Sequence, residues 1–280
     1  MAEIQISWLW VVFMVVAILL EFAAPLALSV ELARRFDLSW RFFGIGIFIF
    51  LVSQGMMRIP LENEARSQLF PEDMSSLGVQ LSWIFFSALL TAFFCQFGHF
   101  AALRWLFKEP ERDAKNTMMY ALGFGGIQLF AIACLTLVGL LAAFILPFVI
   151  NRASYDAQLT AREHLANLAS QATWYPLVSA WDRLLKLIVH IALALLVLQV
   201  FKGGGMRWLW YAMAAHWAVI FVSLGLPALF RLEGGASLLA SAGIMTLIAA
   251  GGCWLIWRYR DPDLFVFQRE PHITPRVKTS

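Results

Sequence analysis

Residues 91–100 read TAFFCQFGHF, and they place a cysteine, a glutamine and a histidine inside a long apolar run. Cys95 and His99 are four residues apart, and Gln96 is three residues before His99, so a helix carries all three near one face. The run extends over residues 77–106, which is more than the roughly 20 apolar residues that a spanning helix needs. The stretch therefore predicts a membrane helix whose polar groups point into a helix bundle.

The whole chain has the composition of a polytopic membrane protein. Its 280 residues are 61% hydrophobic and 14% charged, whereas about 25% of residues are charged in a soluble domain. Cys95, Cys134 and Cys253 all lie in apolar runs, which argues against a disulfide framework. The sequence contains neither a Gly-rich phosphate loop nor a basic-aromatic patch. The expected partner is therefore the lipid bilayer, with no nucleic acid.

Seven apolar segments predict an all-α fold, a single seven-helix transmembrane domain over residues 1–257 followed by a cytoplasmic tail, 258–280. Leucines in the polar stretch 151–175 follow a helical rhythm, which predicts a short helix on the outer surface. The acidic stretch 61–76 is predicted to be an outer loop. The seven segments cover approximately residues 7–30, 40–60, 77–106, 117–149, 177–201, 208–230 and 236–257.

The basic residues predict the orientation of the bundle. Most of them lie after the first, third, fifth and seventh segments. Cytoplasmic loops of membrane proteins carry an excess of Lys and Arg. We therefore expect the N-terminus outside and the C-terminus in the cytoplasm, in the plasma membrane.

Further polar residues interrupt the fourth, fifth and sixth segments. Gly123, Gly125 and Gly126 in ALGFGGIQ (residues 121–128) form a small-residue surface that a neighbouring helix can approach closely. Asp182, Lys186 and His190 recur every four residues in the fifth segment. We expect helices three to six to enclose one polar cavity, lined by Gln96, Gln128, Asp182, Lys186, His190 and His216.

A structural explanation of the same residues stays open. Polar groups in membrane helices also hydrogen-bond one another and fix the register of neighbouring helices. For Glu21, in the first segment, the sequence offers no partner.

In this order the segments resemble the YhfC-type membrane peptidases, which belong with the CAAX-prenyl-protease-like and PrsW-like intramembrane metalloproteases. The resemblance implies a metalloprotease fold whose metal and catalytic residues lie on the third to sixth helices. It covers most of the chain and is carried by VSQGMMRIPL (52–61), FFCQFGHF (93–100), ALGFGGIQ (121–128), AWDRLLKLIVH (180–190) and AAHWAVIF (214–221).

Several positions depart from the family pattern, and the resemblance therefore implies a degenerate site to which no catalytic residue is assigned. The histidine of the family's Gly-His-Gly-Gly-Ile-Glu helix is Phe124 here, which cannot ligate a metal. The glutamates of the third and fourth helices are replaced by residues without a carboxylate. The altered positions are Cys95, Gln96, His99, Phe124, Gln128 and Asp182, while His190 and His216 keep their histidines.

The favoured hypothesis is a scaffold or recognition module for another membrane protein or transmembrane helix, with no cofactor. The Aph-type scaffold subunit of γ-secretase is similar in its glycine-spaced fourth helix and in two histidines that match His190 and His216. Two alternatives remain. In the first, the chain is an active metallopeptidase with zinc at Cys95, His190 and His216. In the second, it is a small-solute or ion transporter that uses its intramembrane charged groups.

Overall fold

The computed structural model describes residues 7–71, 73, 75–149 and 155–260. Over these residues the chain is helical and has no strand, which confirms the all-α prediction. The final residues of the predicted tail, 261–280, lie outside the described part. The helices are α1 (Trp8–Phe36), α2 (Arg41–Leu69), α3 (Leu77–Leu106), α4 (Ala114–Val149), α5 (Tyr155–Ser170), α6 (Tyr175–Leu198), α7 (Arg207–Leu229) and α8 (Gly234–Tyr259).

Helix α2 is longer than its apolar sequence suggests, because it continues through residues 61–69, which were predicted to be a loop. Its turns widen to the π type over Leu51–Arg58, where the Ile59 N–H bonds the Gln54 carbonyl five residues back. Pro60 follows directly and has no N–H to offer. Widened turns of this kind are frequent at functional sites.

Six helices are long and apolar enough to cross a membrane, and these are α1, α2, α3, α4, α7 and α8. Helix α6, the fifth predicted span, is not among them and carries Asp182, Arg183 and Lys186. It is nevertheless enclosed by other helices, and every residue from 191 to 198 is buried. The count of seven spans and the orientation of the bundle remain predictions.

Helices α2 and α4 approach each other closely at two glycines. A Cβ atom added at Gly123 would overlap the Phe43 carbonyl, and one added at Gly46 would overlap the Tyr120 carbonyl. A Cβ at Gly125 would lie 2.6 Å from Leu187 on α6. Small residues at these positions therefore allow α4 to pack against two helices that line the site described below.

The connection between α3 and α4 is fixed by two arginines. Arg41, at the start of α2, donates from Nη1 and Nη2 to the two carboxylate oxygens of Glu111, over 2.9 and 3.0 Å. Arg112 donates to the carbonyl oxygens of Leu103 and Arg104, at the end of α3. The two Arg112 bonds satisfy carbonyl oxygens that have no N–H partner at the end of α3.

Candidate functional site

A cysteine and two histidines meet inside the bundle. Cys95 and His99 are one turn apart on α3, and His190 faces them from α6. The Cys95 Sγ atom lies 3.5 Å from His99 Nε2 and 3.8 Å from His190 Nδ1. One donor atom from each residue lies within 4.8 Å of the other two. We call these three residues the Cys/His cluster.

His216 on α7 lies beside this cluster. Its ring centroid is 5.5 Å from that of His190. The amide nitrogen of Gln96 donates to His216 Nδ1 over 2.9 Å, and both side chains are buried. The two histidines are therefore close together, as predicted. Gln96 was predicted to line the cavity described below, but it contacts His216 and is not among the lining residues.

Aromatic residues of α4 pack against the cluster. The Tyr120 hydroxyl lies 2.9 Å from His99 Nδ1. The Phe124 ring centroid is 4.5 Å from that of His99 and 5.6 Å from that of His190. Tyr120 was not predicted from the sequence, although it lies four residues before Phe124 and a buried tyrosine hydroxyl usually needs a partner.

A cavity of about 260 Å³ adjoins the cluster. Its charged lining residues are Arg58 and Lys186, and none of the described residues that line it is an Asp or a Glu. Apolar side chains, among them Val219 and Leu224, complete the wall. The polar residues that line it are Gln54, Arg58, Ser87, Thr91, Cys95, Gln128, Lys186, His190, His216 and Ser223.

Residues 11–245 match the profile of the family described as YhfC intramembrane metalloprotease. The chain belongs to this family. No curated protein and no solved structure matches it. With the six apolar helices, the match supports an integral, multi-pass membrane protein of the metalloprotease type. The predicted family is confirmed, whereas the loss of activity and the similarity to the γ-secretase scaffold remain predictions.

The YhfC family is a metalloprotease family, and the spacing of the Cys/His cluster fits a tetrahedral metal ion. Zinc bonds to sulfur and nitrogen place these donors roughly 3.6 Å apart, close to the 3.5 and 3.8 Å found around Cys95. Tyr120 holds the second ring nitrogen of His99, as outer partners do for metal-binding histidines. Cys95, His99 and His190 are thus the residues that would hold zinc, with His99 in place of the predicted His216. A bound zinc would polarise a carbonyl or a water molecule.

Asp182 lies apart from the cluster. Its carboxylate forms an ion pair with Lys186 over 2.7 Å. It lines a second cavity of about 250 Å³, and three residues, Gln128, Lys186 and His190, line both cavities. Asp182 therefore does not line the cavity that adjoins Cys95 and His216.

Two further ion pairs were not predicted from the sequence. Arg58 pairs with Glu62 and also donates to Thr91, and the same Glu62 accepts from Ser87. The four-residue spacing of Arg58 and Glu62 on one helix is the signal that could have revealed this pair.

The second unpredicted pair joins α1 to α6. Arg183 Nη1 lies 2.6 Å from Glu21 Oε1. The partners are 162 residues apart in the chain, so no local pattern reveals them. Glu21 is thus paired with Arg183, a partner that could not be identified from the sequence.

Proposed function

We propose that the chain is a recognition or scaffold protein for other membrane segments, which uses the YhfC metalloprotease bundle without hydrolysing peptides. The proposal rests on one observation, the charge of the cavity. Among the described lining residues the charged ones are the cations Arg58 and Lys186. Hydrolysis at a metal needs a group that takes a proton from the attacking water, commonly a carboxylate.

The side chains around the cluster support the same proposal. Phe124 packs against both His99 and His190 and offers no atom to a metal or a proton. Gln128 lines the cavity, but a neutral amide does not act as a base. The nearby carboxylates Glu62 and Asp182 are each engaged by a cation on their own helix.

A retained cavity still has a use in binding. Its amide and hydroxyl groups can hydrogen-bond the backbone or a polar side chain of a membrane segment. Its apolar wall can pack against aliphatic side chains of the same segment. A cavity that lacks a general base can therefore bind a membrane segment without cleaving it.

The second candidate is an active metallopeptidase, and the donor spacing of the Cys/His cluster specifically favours it. A dication in this position would, however, lie beside a cavity that two cations, Arg58 and Lys186, also line. The transporter alternative gains no such support, because Glu21 and Asp182 are already paired with Arg183 and Lys186.

The deciding experiment combines metal analysis with a cleavage assay. Protein purified in detergent is analysed for zinc and incubated with membrane-spanning peptides, with and without added zinc. We expect no stoichiometric metal and no cleavage, with Cys95→Ser unchanged in both measurements. One equivalent of zinc that disappears in Cys95→Ser, together with zinc-dependent cleavage, would establish the peptidase instead.

A further inference from the structure

The two cations that line the cavity, Arg58 and Lys186, can form further hydrogen bonds. The Arg58 and Lys186 side chains are 21% and 40% exposed, which places them at the rim. Their acidic partners, Glu62 and Asp182, do not line this cavity. An ammonium group has three N–H donors and a guanidinium has five, so both cations can bind a further acceptor without leaving their partners.

A buried amide points to the same missing acceptor. Gln54 is 5% exposed and lines the cavity, and its Nε2 has no hydrogen-bond partner among the described residues. The Arg58 Nε atom, four residues further along α2, is buried and unpaired in the same way. Unpaired buried donors destabilise a protein, so an acceptor-rich group that the side chains of Gln54 and Arg58 turn to meet would relieve both.

We infer that the membrane segment recognised by this cavity carries a carboxylate, which binds between Arg58, Lys186 and Gln54. The inference rests on the proposed recognition function and names the chemistry of the partner. A carboxylate presents two acceptor oxygens and matches an arginine fork. A cavity of about 260 Å³ accommodates a side chain with a short stretch of backbone, so an acidic side chain enters while the rest of the segment stays outside.

The lining favours a peptide over a lipid phosphate. Gln54 and Gln128 line the cavity, and an amide side chain has both a donor and an acceptor, a combination that matches peptide groups. A phosphate only accepts hydrogen bonds and would leave the amide oxygens without partners. Val219, Ile220 and Leu224 supply the apolar surface against which the segment's neighbouring side chains pack.

The probe is a labelled membrane-spanning Leu/Ala peptide with one glutamate in its outer half, compared with otherwise identical glutamine and lysine peptides. Binding to the full-length protein is measured by fluorescence energy transfer in phosphatidylcholine nanodiscs at neutral pH. We expect the glutamate peptide to bind about tenfold more tightly than the glutamine peptide, as one extra charge-assisted hydrogen bond would give. The lysine peptide should bind most weakly.

Variants that neutralise a cation together with its partner test the site without leaving a buried charge alone. Arg58→Gln with Glu62→Gln, and Lys186→Gln with Asp182→Asn, should each bind the glutamate and glutamine peptides nearly equally. The matched control is Arg41→Gln with Glu111→Gln, an ion pair between the start of α2 and the connection from α3 to α4. This control should keep the tenfold preference.

The possible results separate the inference from the function on which it rests. Equal binding of the glutamate and glutamine peptides to the unmodified protein overturns the inference and leaves the recognition function standing. Failure to bind any of the three peptides overturns both. If replacing part of the phosphatidylcholine by phosphatidylglycerol abolishes the preference, the headgroup of an anionic lipid occupies the site and the inference is wrong.

Discussion

The amide nitrogen of Gln96 lies 2.9 Å from Nδ1 of His216 and joins α3 to α7 beside the Cys/His cluster. Both side chains are buried. Gln96→Leu leaves His216 without this partner, so we expect the free energy of unfolding to fall by about 1–3 kcal/mol. Denaturant unfolding in detergent micelles measures the loss. Gln80→Leu, at a partly buried position of the same helix, is the control, and an equal loss there would contradict the assigned role.

The close packing of α2 against α4 predicts a graded response to alanine. Gly123→Ala should destabilise the protein strongly, because the new Cβ meets backbone atoms of Phe43 that cannot move aside. Gly126→Ala should destabilise the protein less than Gly123→Ala, since its Cβ would lie 3.0 Å from the Pro25 ring. Gly139→Ala should be neutral or slightly stabilising, because nothing lies within 4 Å and alanine favours a helix. Melting temperatures in one detergent rank the three, and equal values would refute the packing argument.

Most of this packing surface was predictable, because small residues spaced along an apolar helix reveal a close contact in the sequence itself. The all-α fold and the grouping of Cys95 with His99 likewise follow from local periodicity. The extension of α2 to Leu69 was missed, since its polar residues give no hydropathy signal. The contacts of Tyr120 with His99 and of Glu21 with Arg183 depend on how separate helices pack, which one sequence does not encode locally.

Stability should depend on pH through Glu111, which lies outside the spanning helices. Hydrogen bonds from the Arg41 side chain and the Lys108 backbone N–H lower the pKa of Glu111 below its usual 4.5. A carboxyl whose pKa is lowered by folding stabilises the protein above the unfolded-state pKa, and this contribution is lost as the pH falls through the folded-state pKa.

Arg41→Gln should therefore be slightly less stable than the unmodified protein at neutral pH, and the difference should shrink on acidification below pH 4.5. The effect is small, because exposed ion pairs contribute little. Melting curves across this pH range measure it. Arg104→Gln, an exposed cation near the same connection, should show no such trend, and a parallel trend there would assign the effect to net charge.

The predicted orientation is open to a labelling test. In a background with Cys134→Ala and Cys253→Ala, Ser170→Cys at the end of α5 should react with an impermeant maleimide added to intact cells. Glu109→Cys, in the exposed connection between α3 and α4, should react only after lysis. The reverse pattern would invert the bundle, and labelling of both from outside would contradict the count of spans between them.

Replacing only one partner of an ion pair should destabilise the protein most at Glu21 and Arg183. The Glu21 side chain is 1% exposed, so Arg183→Ala leaves a buried carboxylate without its cation. We expect a loss of about 3–5 kcal/mol, as for other half-broken buried pairs. Replacing both residues by leucine should recover much of that loss, because the charge is removed together with its partner.

A double-mutant cycle with Glu21→Leu, Arg183→Leu and the double variant gives the coupling energy between the two residues. The same cycle on Arg41 and Glu111, whose side chains are 44% and 21% exposed, should give only about 0.2–1 kcal/mol. Additive losses at Glu21 and Arg183 would mean that the two side chains do not stabilise each other, which would contradict the predicted strength of this ion pair.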